Sequence, residues 1–246
     1  MINLFGNVNF VLESRGGLGK SHLFKETTKK DFLELSTHLT PLALYRELYH
    51  YSKERNFQNI NVLIDDCDGL ETNPLMVSLL KRVSESEKKI TMHYHSSKII
   101  NEGLPGTYDL ENVHIAIICN SFKELSNNKM NIKALSDRFV CFLFNPSNIE
   151  VFRYLENWGK DIQALNFLKK YFNYSSNFSL RSYLHLIALK KYMKDWEDIM
   201  KKDLNIDEVE YVLNSNFPNK EKVLEISKLR KCGIRNAQII LKKRKG

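Results

Sequence analysis

The chain has 246 residues, 43% of them hydrophobic and 27% charged, which is enough apolar material for a core and excludes a wholly disordered chain. No apolar run approaches the roughly 18 residues of a membrane-spanning helix. The opening MINLFGNVNF lacks a basic stretch ahead of an apolar block, so the expectation is a cytoplasmic protein, or one of an equivalent internal compartment, with no membrane partner. The four cysteines, Cys67, Cys119, Cys141 and Cys232, stand far apart without a CxxC pair, which argues against a zinc knuckle or a disulfide frame.

In chain order, VNFVLE (8–13) reads as a strand ending in a glycine turn, with a helix starting at Gly19 or Lys20. DFLELS (31–36) reads as a second strand. From Pro41 to about Arg55, Leu44, Leu48 and Tyr51 share one helical face, with Thr40 as the N-cap. NINVLIDD (59–66) is a continuous aliphatic run, the pattern of a strand buried on both faces. A helix over about 73–86 starts near Asn73-Pro74. KITMHYHS (89–96), a Gly- and Pro-containing loop (103–106), VHIAIIC (113–119) and FVCFLF (139–144) follow. Strands separated by helices point to an α/β fold with a parallel sheet over residues 1–146.

After Pro146 the periodicity is helical. IEVFRYLENW, IQALNFLKKYF and SLRSYLHLIALKKYM predict a helical lid over 147–204, with Leu180, Leu184 and Ile187 as the inner face of its third helix. Residues 205–246 form a further helical segment, broken at Pro218 and at Gly233. The formal net charge is +8, and residues 228–246 hold eight Lys/Arg and no acid; without those eight, the 37 basic residues fall to 29, equal to the 29 acids. Such concentration points to an anionic partner, nucleic acid being the commonest; a solvated Lys-rich tail is the other reading.

The sharpest motif is SRGGLGKS, Ser14 to Ser21, between a strand and a helix. Glycines there let backbone N–H groups curl around phosphates, and the helix N-terminus favours negative charge. Ser14, Arg15, Gly16, Gly17, Leu18, Gly19, Lys20, Ser21 and His22 are the candidate nucleotide cradle. Lys20 reaches the β/γ-phosphates, and the Ser21 hydroxyl faces Mg²⁺. The motif departs from its usual pattern in carrying Ser14 where a glycine is normal, which is expected to strain the turn. In VLIDDCD (62–68) a strand ends in carboxylates, the hard ligands that Mg²⁺ prefers: Asp65 for the metal, Asp66 as general base for the attacking water. Asp68 has no assigned role.

With these elements the chain resembles the AAA+ ATPases over roughly residues 5–200. VHIAIIC ends in Asn120-Ser121, where Asn120 matches the family's sensor-1 residue, which orients the hydrolytic water. LSDRF (135–139) is similar to the segment bearing the arginine finger, at Arg138, and SLR (179–181) is similar to sensor 2, at Arg181. The resemblance implies a three-layer P-loop fold with a lid, ATP and Mg²⁺ as cofactors, and a homo-oligomeric ring or filament in which the finger acts on a neighbour's nucleotide. The DD ending is similar to helicase loaders and transposition ATPases of the DnaC, IstB and MuB types, and the chain also resembles small phage and plasmid ATPases. That implies slow hydrolysis and a DNA, helicase, primase or transposase partner. A nucleotide-binding scaffold without turnover and a small-molecule kinase are the alternatives.

Weaker signals complete the reading. His93 and His95 alternate along a strand and would share a face, a spacing open to metal, although no further ligand stands near. Cys67 reads as a small packing residue. KEKVLEISKLRK (220–231), a Cys232-Gly233 turn and IRNAQIILKKRK (234–245) suit a helix-turn-helix, with Arg235, Asn236 and Gln238 early in the second helix. Lys231, Arg235, Lys242, Lys243 and Arg244 are the candidate nucleic-acid contacts; non-specific phosphate binding and simple packing remain open beside them.

Overall fold

The computed structural model describes residues 8–28, 31–68, 73–120, 135, 137–231 and 234–243. The chain divides into two compact units, 1–145 and 146–246. Unit one runs β1 (Phe10–Glu13), α1 (Lys20–Thr27), β2 (Leu33–His38), α2 (Pro41–Lys53), β3 (Gln58–Asp68), α3 (Pro74–Val83), β4 (Lys89–His93), α4 (Ser97–Asn101), β5 (Thr107–Cys119) and β6 (Val140–Leu143). The sheet order is β2-β3-β5-β1-β6 with every one of those pairs parallel, and β4 pairs with β5. This is the expected α/β fold.

Both faces of the sheet are covered, which explains the aliphatic runs. On one face Val11, Val62, Ile64, Ile115 and Ile117 pack with Leu44, Tyr45 and Leu48 of α2 and Met76, Leu80 and Val83 of α3. On the other, Phe10, Leu63, Ala116 and Ile118 pack with Phe24 of α1. Alternate residues of β3 thus face opposite layers, and each fully buried aliphatic side chain contributes about 1.5–3 kcal/mol. The helix starts are encoded locally: Thr40 accepts from the Ala43 N–H at 3.1 Å with Pro41 beside it, and Asn73 accepts from Leu75 at 3.0 Å.

One strand departs from the expected parallel arrangement. β4 runs antiparallel to the first half of β5, with Lys89 opposite Glu111 and His93 opposite Thr107. The intervening residues hold only the short α4 and a left-handed Gly103 at φ 66°, too little for a parallel crossover. Consequently β5 begins at Thr107, before the expected 113. The seam is polar: Lys89 pairs with Asp109 at 2.9 Å and Thr91 donates to Asp109 at 2.7 Å. Past Asn112, at φ 52°, the strand becomes central between β3 and β1.

Unit two is helical: α5 (Asn148–Trp158), α6 (Ile162–Tyr171), α7 (Leu180–Tyr192), α8 (Trp196–Asp203), α9 (Glu208–Asn214), α10 (Asn219–Leu229) and α11 (Ile234–Lys243). Ser147 and Glu150 form a capping box on α5. The inner face of α7 differs from the expected one. Ser182, Tyr183 and Leu186 are buried, whereas Leu184 is 52% and Ile187 36% exposed. The Tyr183 hydroxyl accepts from the backbone N–H of Lys160 and Asp161 at 2.8 and 2.9 Å, so the aromatic residue faces inward with Leu186, and Leu184 and Ile187 face outward. Residues 204–207 tie back to the 3-10 turn Phe172–Tyr174 and its successor through Asp207 N–H to Tyr174 O at 2.9 Å and Ser175 Oγ to Leu204 O at 2.6 Å. Val212, Val223, Ile226, Ala237 and Leu241 unite the last three helices. The Cys232-Gly233 turn lies outside the described residues.

Two expectations follow. Leu186→Ala should cost about 2–5 kcal/mol in urea denaturation, and Leu184→Ala less than about 0.5 kcal/mol; equal losses would contradict the observed face. Burial pushes the Tyr45 phenol up from 10.0 to about 12 and raises Tyr108 further. The unfolded chain ionises these phenols first, so their contribution is complete below pH 10 and declines above it. Denaturation midpoints measured from about pH 8 to about pH 11 should fall at the alkaline end, less so in Tyr45→Phe.

Candidate functional site: a phosphate-type loop against two strand ends

β1 is the strand at which the sheet order reverses, with β5 on one side and β6 on the other. In open α/β sheets the crevice beyond the carboxyl ends of such strands is where ligands bind. Residues 14–19 leave β1 at this edge and enter α1. Gly17 and Gly19 have φ of 79° and 76°, left-handed values that a side chain would strain. Ser14 is absent from the positive-φ positions and is buried, its N–H donating to Cys119 O at 3.2 Å and its Oγ to Arg15 O at 3.0 Å. The expected strain at Ser14 is therefore not found: the backbone there needs no glycine.

Lys20, 5% exposed, sends its ammonium to Ser14 O at 2.9 Å, Arg15 O at 3.3 Å and Asn120 Oδ1 at 2.9 Å. Ser21 Oγ donates to Asp65 Oδ1 at 2.8 Å, and Asp65 is itself buried. Residues separated by 44 and by 100 positions thus meet at one strand edge. Asp66 follows at φ 45° with an exposed side chain; on the neighbouring strand Thr37 has φ 67°, and the β2–β3 register shifts between Ser36 and His38. The irregularity separates the two carboxylates into a buried and an exposed one.

The remaining candidates are placed as follows. Leu18 is buried, while Gly16 and His22 are exposed. Arg15 and Ser21 are partly buried. A Cβ on Gly16 would stand 3.7 Å from Asn120 Oδ1, so the loop passes close over the end of β5. Arg138 is exposed, in a turn closed by its N–H to Leu135 O at 2.9 Å just before β6. Arg181 is exposed in the first turn of α7 and belongs to unit two. Lys231, Arg235 and Lys242 are exposed, also in unit two. Ser121 and Arg244 lie outside the described residues, as do the side chains of Cys67, Asp68 and Lys243. His93 and His95 are both exposed, β4 ends at His93, and among the described residues no group of three metal-ligating side chains occurs.

Glu13, which drew no notice in the sequence, is a partly buried carboxylate at the last position of β1, in register with Cys119. Its signal was an acid closing an apolar strand, as at Asp65. Burial, with Glu13 adding to it, pushes the Cys119 thiol up to about 12, and the same two causes raise Cys141.

The donor set suits a magnesium nucleotide. A hydroxyl and a carboxylate, both hard oxygen donors, adjoin at 2.8 Å. Beside them lie an ammonium and a glycine loop opening a helix. No protein-family model matches the chain, and no curated protein matches its sequence. Among solved structures, similar ones include domain III of the replication initiation protein DnaA from Thermotoga maritima (15% identity, TM-score 0.42, 81% of this chain and 85% of that one). Others are the Orc1 protein of Aeropyrum pernix in complex with DNA (14%, 0.43, 92% and 67%) and Cdc6p of Pyrobaculum aerophilum (12%, 0.47, 96% and 74%). At these identities and TM-scores the likenesses carry neither family nor activity over to this chain.

Cys119 is expected to stay unmodified when the native protein meets iodoacetamide near neutral pH, while the exposed Cys141 is alkylated before it. Peptide mass mapping reads the order, and early labelling of Cys119 would contradict the packing at the end of β5.

Proposed function

We propose that the chain is a magnesium-dependent ATP-binding protein of the AAA+ type that hydrolyses ATP slowly, and that bound nucleotide controls its self-assembly and its action on DNA. The observation that carries the reading is the meeting of Ser21 Oγ with Asp65 Oδ1 at 2.8 Å beside the buried ammonium of Lys20. A glycine turn with a chance GKS would give no reason for a carboxylate 44 residues away to sit on that serine.

In this reading the backbone amides of residues 16–21 and the Lys20 ammonium bind the phosphates, and Ser21 and Asp65 hold the metal. When bound, Mg²⁺ neutralises charge on the phosphate oxygens. Asp66 accepts a proton from the attacking water, and its exposed side chain leaves it open to that water. Asn120 orients the same water. Arg138 and Arg181 supply guanidinium groups against charge developing on the transferred phosphoryl, an effect worth about 10³–10⁵ in rate where such a group is in place. Arg138 acts on the nucleotide of a neighbouring copy, Arg181 from a lid formed by 147–204. Lys231, Arg235, Lys242, Lys243 and Arg244 engage DNA phosphates from the basic segment 205–246. Among replication and transposition roles, those of helicase loaders and of DnaC-, IstB- or MuB-like ATPases fit best, with a helicase, primase or transposase as partner.

The expected outcome for Lys20→Ala is loss of ATP binding by at least tenfold in titration calorimetry. Asp66→Asn keeps the left-handed backbone, which Asn tolerates, and should retain binding while lowering phosphate release by about 10²–10⁴-fold. Wild-type protein that neither binds nor cleaves millimolar ATP would overturn the proposal; binding without release would leave a scaffold.

A further inference from the structure

In unit two, α10 lies between two grooves of different charge. On one side the lining includes Glu208, Glu221 and Glu225 together with Lys201 and Lys228. On the other, between α10 and α11, an open groove of about 670 Å³ is lined by Lys220, Val223, Leu224, Ile234, Leu241 and Lys242, with amide side chains from Asn219 and Gln238. Among the described residues its ionisable lining side chains are lysines, with no carboxylate. Its floor is apolar: Val223 and Leu241 belong to the cluster that joins the last helices. Two aliphatic side chains in its walls are left wet: Ile234 at 53% exposure, and Leu224 at 49%, which also lines the first groove.

From this we infer that the α10–α11 groove is a docking site for an acidic amphipathic helix of a partner protein. Shape and charge both select that occupant. The liners of α11 recur at 234, 238 and 241–242, the spacing of one helical face over about 12 Å at 1.5 Å per residue. A partner helix therefore presents apolar side chains at i, i+4 and i+7 over two turns, as in other helix-in-groove complexes. Lys220 on one wall and Lys242 on the other select Asp or Glu flanking that ridge, while like charges on the partner would be repelled. Duplex DNA offers phosphates for the two lysines but no apolar ridge to cover Leu224 and Ile234. The inference stands apart from the nucleotide site, since no residue of the loop or of the strand ends takes part; of the proposed DNA contacts it shares Lys242 alone, so a partner helix and DNA would compete for that lysine.

The test is a display selection of helix-constrained peptides, randomised at every position, against the intact chain, followed by fluorescence anisotropy with the enriched peptides. Enrichment of the i, i+4, i+7 apolar pattern with flanking Asp/Glu is expected. So is at least a tenfold rise in Kd for Leu224→Glu, for Ile234→Glu and for the double variant Lys220→Glu/Lys242→Glu. Both aliphatic positions are half exposed and should tolerate Glu, with far-UV circular dichroism as the check and Leu224→Ala/Ile234→Ala as the milder pair. ATP titration of the same samples separates the two readings, because Leu224→Glu and Ile234→Glu should bind nucleotide as wild type does. The inference is overturned by a selection that yields no binder, by enriched peptides without acids, or by variants that bind as well as wild type. It is equally overturned if a DNA duplex binds wild type but not Leu224→Glu, or if Leu224→Glu abolishes a self-association seen by sedimentation.

Discussion

A lysine that is 5% exposed cannot remain charged at a strand edge unless acceptors surround it, and the fold of unit one answers that demand. Lys20 is met by two carbonyls of its own loop and by the Asn120 side chain. A buried ion left without such partners would shift to its neutral form or cost several kcal/mol. The loop from 14 to 19 must therefore curl back over the ammonium, and Gly17 and Gly19 at φ of 79° and 76° are what let it. Asn120 must sit at the end of β5, next to β1, for the third acceptor to be in reach. Loop shape, strand adjacency and lysine charge are thus one constraint.

The same constraint explains why chemistry gathers at one edge of the sheet. Parallel strands bring their carboxyl ends together, so the residues that follow β1, β3 and β5 become neighbours however far apart they lie in sequence. Glu13 is level with Cys119, and Asp65 with Ile118. Burial has opposite consequences for the groups collected there. The hydroxyl–carboxylate pair of Ser21 and Asp65 is satisfied through a hydrogen bond, whereas the Cys119 thiol has its ionisation suppressed. An ionised thiol would compete for the Lys20 ammonium, so a thiol held neutral leaves that charge to its oxygen acceptors.

What could be read from the sequence is what depends on local spacing. The strand–glycine turn–helix at 8–27, the Thr40 and Asn73 caps and the two-faced run of β3 follow from residue type and period alone. The direction of β4 could not, because KITMH carries the same alternation whether its neighbour runs up or down; only the short content of residues 94–106 limits it. The buried stripe of α7 escapes the sequence for a related reason. Ranking by hydrophobicity favours Leu184 and Ile187 over Tyr183, but a phenol that accepts two backbone N–H bonds is worth burying, and that partnership exists only in the folded chain. Glu13 does not stand out in the sequence because an acid at a strand end is common, and its neighbours on β5 and β6 come from beyond position 110. At the loop, Ser14 is a departure only because the motif is written with glycine, whereas the conformation at that position does not call for one.

The basic segment shows how folding redistributes a signal that composition presents as a single tract. Counted along the chain, the Lys and Arg after residue 227 form one positive block. In the structure Lys242 lines a groove with Lys220, a residue outside the block, whereas Lys228 lines the opposite side of α10 beside Glu221 and Glu225. Helical periodicity makes this division unavoidable, since residues on different faces of α10 and α11 meet different neighbours. Net charge therefore describes the approach of an anionic partner over a Debye length. At contact distance, selection passes to the few charges that share a surface with exposed aliphatic groups. A polyanion without an apolar ridge satisfies the first condition and fails the second, and that difference separates the face of α11 bearing Arg235 from the groove bearing Ile234.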